Sequence, residues 1–216
     1  MKTLDITIDF ETCALCPTAA PLSVAAVAWN RYDETDPFIN ASDFFSPIDL
    51  RSAFVDGFTI DPKTAEWWSK QSDVAKAQVT GMPENGMPLC DVKHVIGNLL
   101  TYIAVQQSEN EADEVCLWSQ GSDFDIAILR NICEKYGMTI PVKYTNFRDH
   151  RTFFLEGARI VCDATDTEFD AKKAYSMVEE YTDYVGVPHD PIYDCRKSIY
   201  STWQMMELLR MLRRKN

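Results

Sequence analysis

Apolar and polar residues alternate without a break near the start of the chain. Leu4, Ile6, Ile8 and Phe10 are interleaved with Asp5, Thr7, Asp9 and Glu11. This period of two predicts a half-buried strand over Leu4–Thr12. Residues two apart share a strand face, so Asp9 and Glu11 point the same way. Leu22–Trp29 is almost continuously apolar, the pattern of a strand buried on both faces. A turn at Pro17–Pro21 separates the two, the polar stretch Asn30–Asp36 follows, and Ala41–Ser46 reads as a third strand. Three short strands in succession suggest an antiparallel meander.

The period then changes. Asp61-Pro62 has the residue types of a helix cap and first turn, opening a short helix that carries Trp67, Trp68 and Gln71. Met82–Pro88 reads as a loop. From Asp91, the positions Val92, Val95, Ile96, Leu99, Leu100 and Ile103 make a helical stripe. A strand at Val115–Trp118, a helix over Ser122–Tyr136 stopped by Gly137, and a short strand near Val142–Thr145 follow. Arg148–Ala158 reads as helical, Val161–Asp170 as irregular and Ala171–Tyr184 as weakly helical. Asp190-Pro191 caps a last helix with Ile192, Cys195, Ile199, Trp203, Met206 and Leu209 on one face, and Arg210, Arg213, Arg214 and Lys215 at its end. Strands first and then alternating helices and strands predict an α/β fold, a mixed sheet covered by helices.

Composition narrows the reading. With 216 residues, 46% hydrophobic and 25% charged, the chain is expected to form a single domain over residues 1–216. No apolar run reaches membrane-span length, so no membrane partner is expected. Nor is there a secretory leader pattern, which makes the cytoplasm the expected compartment and the seven cysteines reduced thiols. Cys13 and Cys16 have no second pair to complete a zinc site, and Pro17 and Pro21 oppose the helix that a redox motif would open. The net charge of −12 repels a polyanion at long range. A nucleic-acid contact should therefore be short or mediated by metal ions.

Alone, Asp9 and Glu11 read as a solvated strand face. Asp125, in Gly121-Ser122-Asp123-Phe124-Asp125, stands in the first turn of a helix, where Ser122 and Asp125 have the spacing of a capping box. It also lies at the strand-to-helix edge where open α/β sheets bind ligands. His189 stands just outside the last helix and Asp194 within its first turns. Taken together and in order, these residues resemble the DEDD superfamily of 3′–5′ exonucleases. Asp9-Phe10-Glu11 matches its Asp-x-Glu motif, Phe124-Asp125 its second motif, and His189 with Asp194 the His-x4-Asp motif of its histidine subgroup. Of His94, His150 and His189, only the last has an aspartate five residues on. Thr59–Ser72 and Asn146–Thr152 are similar to stretches of exonuclease VIII-like enzymes of phages and bacteria and of mycobacterial exoribonucleases. Gln120 replaces the usual Asn of the second motif, and Pro191 replaces a small residue of the third.

The resemblance implies a ribonuclease H-like fold with a five-stranded sheet. It also implies a metal-dependent exonuclease releasing 5′-mononucleotides from the 3′ ends of single-stranded RNA or DNA. Asp9, Glu11, Asp125 and Asp194 would hold two divalent ions. Hard oxygen ligands suit Mg²⁺ or Mn²⁺, and two such ions ~3.5–4 Å apart stabilise both attacking and leaving oxygens. His189 would be the general base. Phe10 and Thr12 would hold the terminal nucleotide, with Trp67, Trp68 and Gln71 nearby and Arg148 and Arg151 as phosphate contacts. Relatives that pair make a homodimer a further expectation, and the chain would act in a bacterial cytoplasm, encoded by the bacterium or by a phage. The rival expectation is an inert nucleic-acid- or protein-binding module on the same fold.

Overall fold

The structure is a computed structural model that describes residues 2–80, 89–121, 123–182 and 188–215. Among these residues, β1 (Thr3–Thr12), β2 (Pro21–Trp29) and β3 (Ser42–Pro47) form the expected antiparallel meander. Three helices follow: α1 (Leu50–Val55), α2 (Pro62–Ser69) and α3 (Asp73–Thr80). Next come α4 (Val92–Glu109), β4 (Glu114–Ser119), α5 (Asp125–Tyr136), β5 (Phe147–Asp149), α6 (His150–Ala164) and α7 (Pro191–Lys215). The sheet order is β3-β2-β1-β4-β5, with β4 parallel to both β1 and β5. It is the predicted mixed five-stranded sheet flanked by helices.

The alternation in β1 sorts its side chains as predicted, but both faces are covered. Leu4, Ile6, Ile8 and Phe10 pack into a core with α4 and α5, through Val95, Leu99, Ile128 and Leu129 among others. The opposite face of the sheet carries Val27, Trp29, Cys116 and Trp118 against Ile192, Cys195, Ile199 and Trp203 of α7. Two polar residues of β1 under that layer, Asp5 and Thr7, are matched. Arg31 Nε donates to Asp5 at 2.6 Å, and Trp118 Nε1 donates to the same carboxylate at 2.6 Å. Thr7 Oγ1 accepts from Trp29 Nε1 at 3.0 Å and pairs with His150 at 2.9 Å, whose other ring nitrogen meets Thr202 at 2.7 Å. Satisfied partners let a polar row lie under a helix without the penalty of orphaned groups.

Several boundaries depart from the sequence reading. The strand expected near Val142–Thr145 forms instead at Phe147–Asp149. Pro141 has no N–H to offer, and Asn146 fastens the chain to β4 by donating to Glu114 and to the Val115 carbonyl. Capped by Asp149, α6 starts two residues later than predicted and runs on through Val161–Ala164, which had read as irregular. Of the helix expected over Ala171–Tyr184, the described part holds one 3-10 turn, Ala174–Met177. Only Ala174 and Tyr181 are buried there, too few for a helical stripe. α1 and α3, each a few residues long, have no strong period and were not anticipated. The Met82–Pro88 loop and the Ser122 capping box fall outside the described residues.

Candidate active site

Glu11 and Asp9 leave the end of β1 on the α7 side of the sheet, where three other elements converge. Asp125, at the start of α5, does not cap its own helix: its Oδ1 accepts the backbone N–H of Phe10 at 3.0 Å. Two residues into the chain past His189, α7 begins with Asp190 as its cap, accepting from the N–H groups of Ile192 and Tyr193 at 3.0 and 3.3 Å. Asp194 lies one turn on and accepts the backbone N–H of His189 at 3.0 Å. That bond holds His189 in the left-handed region at φ 71°, a conformation uncommon for a side-chain-bearing residue. His189 Nδ1 then stands 3.8 Å from Glu11 Oε1. One donor atom from each of Glu11, His189 and Asp194 falls within 4.8 Å of the others.

The electrostatics are those of crowded carboxylates. Burial, then Asp125 and Glu11, push the Asp9 carboxyl well above its ordinary value. Burial and the Asp194 and Asp125 carboxylates raise Glu11 to about 8. Asp125 is raised to about 7, chiefly by burial, with the Phe10 N–H opposing the shift. Asp194 is also raised by burial, against the His189 contacts. Below them the Cys195 thiol, buried and facing Asp9 and Asp125, is pushed well up and donates weakly to the Thr7 carbonyl at 3.7 Å. Buried like charges of this kind fit a bound cation, and an oxygen-rich set with one imidazole fits a hard divalent ion.

The remaining predicted residues divide by position. Trp67 and Trp68 both reach the site: their rings lie 4.8 and 6.0 Å from the His189 ring, edge-on in each case. Trp68 is also fixed inward, its Nε1 donating to the Thr12 carbonyl at 2.9 Å. Trp67 stays 42% exposed. Arg151 lines the adjoining cleft and donates to the Gln120 carbonyl at 3.3 Å. Arg148 is not brought there, since its guanidinium is spent on the carbonyls of Thr145 and Phe147. Gln71 follows α2 and bonds back to the Trp67 carbonyl. The Phe10 side chain is core, 3% exposed, so only its backbone faces the site. Thr12 is likewise buried, its hydroxyl donating to Ala14.

The cleft of about 900 Å³ beside the acids is walled by α6, α7 and the segment around Tyr175. It holds residues that the sequence reading did not single out. Lys197 lies one turn beyond Asp194, a spacing that was readable, whereas nothing in the sequence marks Tyr175. His150 also reaches the wall; burial lowers its pKa to about 3 and keeps it neutral.

A family model for the 3′–5′ exoribonuclease Rv2179c-like domain matches residues 4–203. The chain belongs to the Rv2179c-like family. Comparison with curated protein sequences finds no match. Among solved structures, the nuclease domain of 3′hExo, a DEDDh family member bound to rAMP, aligns over 95% of this chain and 92% of its own. The TM-score is 0.54 and the identity 11%. Cell-death related nuclease 4 (CRN-4) aligns with a TM-score of 0.61 at 12% identity, over 95% of this chain and 64% of that one. At these identities the likeness is one of fold, and that fold is ribonuclease H-like, as expected. With the family, it makes this Rv2179c-like chain a nuclease of the exonuclease class and bears out the resemblance drawn from its motifs.

Proposed function

We propose that this chain is a metal-dependent 3′–5′ exonuclease acting on single-stranded 3′ ends, with RNA the favoured substrate, and releasing 5′-mononucleotides. The observation that carries the reading is the convergence of Glu11, His189 and Asp194 within 4.8 Å, beside the raised carboxyls of Asp9 and Asp125. RNA is favoured by the family description, which names an exoribonuclease domain.

Asp9, Glu11, Asp125 and Asp194 would hold the metal, their four charges matching two Mg²⁺ or Mn²⁺ ions that supply Lewis-acid stabilisation of charge on the phosphate. The chain's own residues do the rest. His189 accepts a proton from the attacking water, a task suited to an imidazole at neutral pH. Asp194 fixes the histidine backbone and Trp67 its ring edge, so the base is already oriented. Water oxygen bonds to phosphorus, the P–O3′ bond to the preceding nucleotide breaks, and that oxygen takes up a proton. The terminal nucleotide sits at the end of β1, against the backbone of Phe10 and Thr12 and the exposed Trp67.

The test is degradation of matched RNA and DNA oligonucleotides, single- and double-stranded, with Mg²⁺ and Mn²⁺ compared. Asp9→Ala and His189→Asn should each remove nearly all nucleotide release. Asparagine is chosen because it tolerates a left-handed backbone. Full activity in either variant would overturn the assignment.

A further inference from the structure

The acidic centre has two sides. His189 faces the tryptophans of α2, with Glu11 Oε1 3.8 Å from its Nδ1, while Asp9, Asp125 and Asp194 line the cleft beside α6 and α7. If the terminal nucleotide occupies the first side, the scissile phosphate lies at the acids and the preceding nucleotide enters the cleft.

The cleft contains a ready-made stacking surface. Tyr175 lies flat on Phe154, ring centroids 4.2 Å apart and 3° from parallel. Phe154 below it is 1% exposed and so fixed in the core, yet Tyr175 remains 42% exposed. The hydroxyl edge of Tyr175 is met by Gln120 Nε2 at 3.5 Å, and the Gln120 carbonyl in turn accepts from Arg151, which faces Asp125. The ring is thereby held within a short polar relay of the catalytic acids. The chemistry of the remaining lining argues for a base over a run of phosphates. Its cations are Arg151 and Lys197, against Glu179 and Glu180 in addition to the three catalytic aspartates. An aromatic face pinned from below, next to a single pair of cations, suits one nucleobase and its phosphate.

We propose that Tyr175 is the stacking platform for the base of the penultimate nucleotide, with Phe154 completing the stack from below. The proposal rests on the exonuclease reading above. It predicts recognition of that base by its π-face, tolerant of base identity.

The experiment compares wild type, Tyr175→Ala and Tyr175→Phe on three substrates. One is a single-stranded oligonucleotide, the second the same strand with an abasic penultimate position, and the third a nucleoside 5′-(trifluoroethyl phosphate), which has no aromatic group in the penultimate position. Tyr175→Ala should raise KM for the intact strand about tenfold, the scale of one base–aromatic stack, and Tyr175→Phe should restore it. The abasic strand should cost wild type a similar factor and the Ala variant little more. A penalty that is equal on the trifluoroethyl ester, or an abasic penalty undiminished in Tyr175→Ala, would overturn the platform. If wild type hydrolyses no substrate with either metal, the exonuclease reading fails instead. Anisotropy titration of the intact and abasic strands against wild type and Tyr175→Ala then still decides the stack.

Discussion

The backbone N–H of Phe10 donates to Oδ1 of Asp125 at 3.0 Å, across 115 residues of chain. This bond sets the third carboxylate beside the first two, and it uses the helix-start aspartate for the neighbouring strand instead of for its own helix. Asp125→Asn keeps an oxygen acceptor for Phe10 while removing a buried negative charge. The variant should melt higher than wild type in chelator and lose more than about a hundredfold in metal-dependent hydrolysis, since even groups that only support metal ligands cost ~10–100-fold. Calorimetry and a rate measurement check the two halves separately. An unaltered rate would remove Asp125 from the proposed metal ligands.

Metal-free stability should fall as pH rises. Burial and neighbouring carboxylates hold Glu11 at about 8 and Asp125 at about 7, against 4.5 and 3.8 for the unperturbed groups. Between those limits the folded protein binds more protons than the unfolded chain, so each step up in pH favours unfolding. The slope should flatten above about pH 8, where both states are ionised. Mg²⁺ or Mn²⁺ should raise stability most at the alkaline end, by binding the folded state alone. Urea midpoints measured in chelator and in each ion test this; a profile that rises toward pH 8 in chelator would contradict it.

The two tryptophans of α2 should separate in their effects. Trp68 anchors α2 through its bond to the Thr12 carbonyl, whereas Trp67 is exposed and touches the His189 ring. Trp68→Ala should cost about 2 kcal/mol of stability, less than a fully buried tryptophan. Trp67→Ala should leave stability within about 1 kcal/mol and lower kcat. Denaturant titration with steady-state kinetics distinguishes them.

Gly157 of α6 lies close against α7. A Cβ there would meet Met205 Cγ at 2.7 Å and its sulfur at 3.0 Å, and Met205 is fully buried. Alanine in a helix interior is worth ~0.5–1 kcal/mol over glycine, but overpacking costs ~1–3 kcal/mol. Gly157→Ala should therefore destabilise by about 1 kcal/mol net. A higher urea midpoint for the variant would show that Met205 can turn aside.

What the sequence disclosed follows from the range of the interactions involved. β1, α4 and α7 were readable because each carries a period matched to its own geometry, β2 because it is an apolar run of strand length, and Asp61, Asp91 and Asp190 cap locally. Asp9, Glu11, Asp125, His189 and Asp194 were readable as spaced motifs. The burial of the polar face of β1 was not, because Arg31, Trp118 and His150 reach it from three separate elements. Arg148 and Arg151 look alike in sequence. A strand and the first turn of a helix send them to different places, one to nearby carbonyls and one to the cleft. Tyr175 gains its meaning only from Phe154 beneath it.

The matched polar row of β1 also orders events during synthesis. Thr7 and Cys116 lie on the face that Cys195 and Thr202 complete, so β1 is covered only after α7 has been made. Until α7 emerges, the nascent chain has no His189 and no Asp194, and its sheet lacks one cover. The acids of β1 and Asp194 can therefore meet only once α7 has docked across 188 residues of chain.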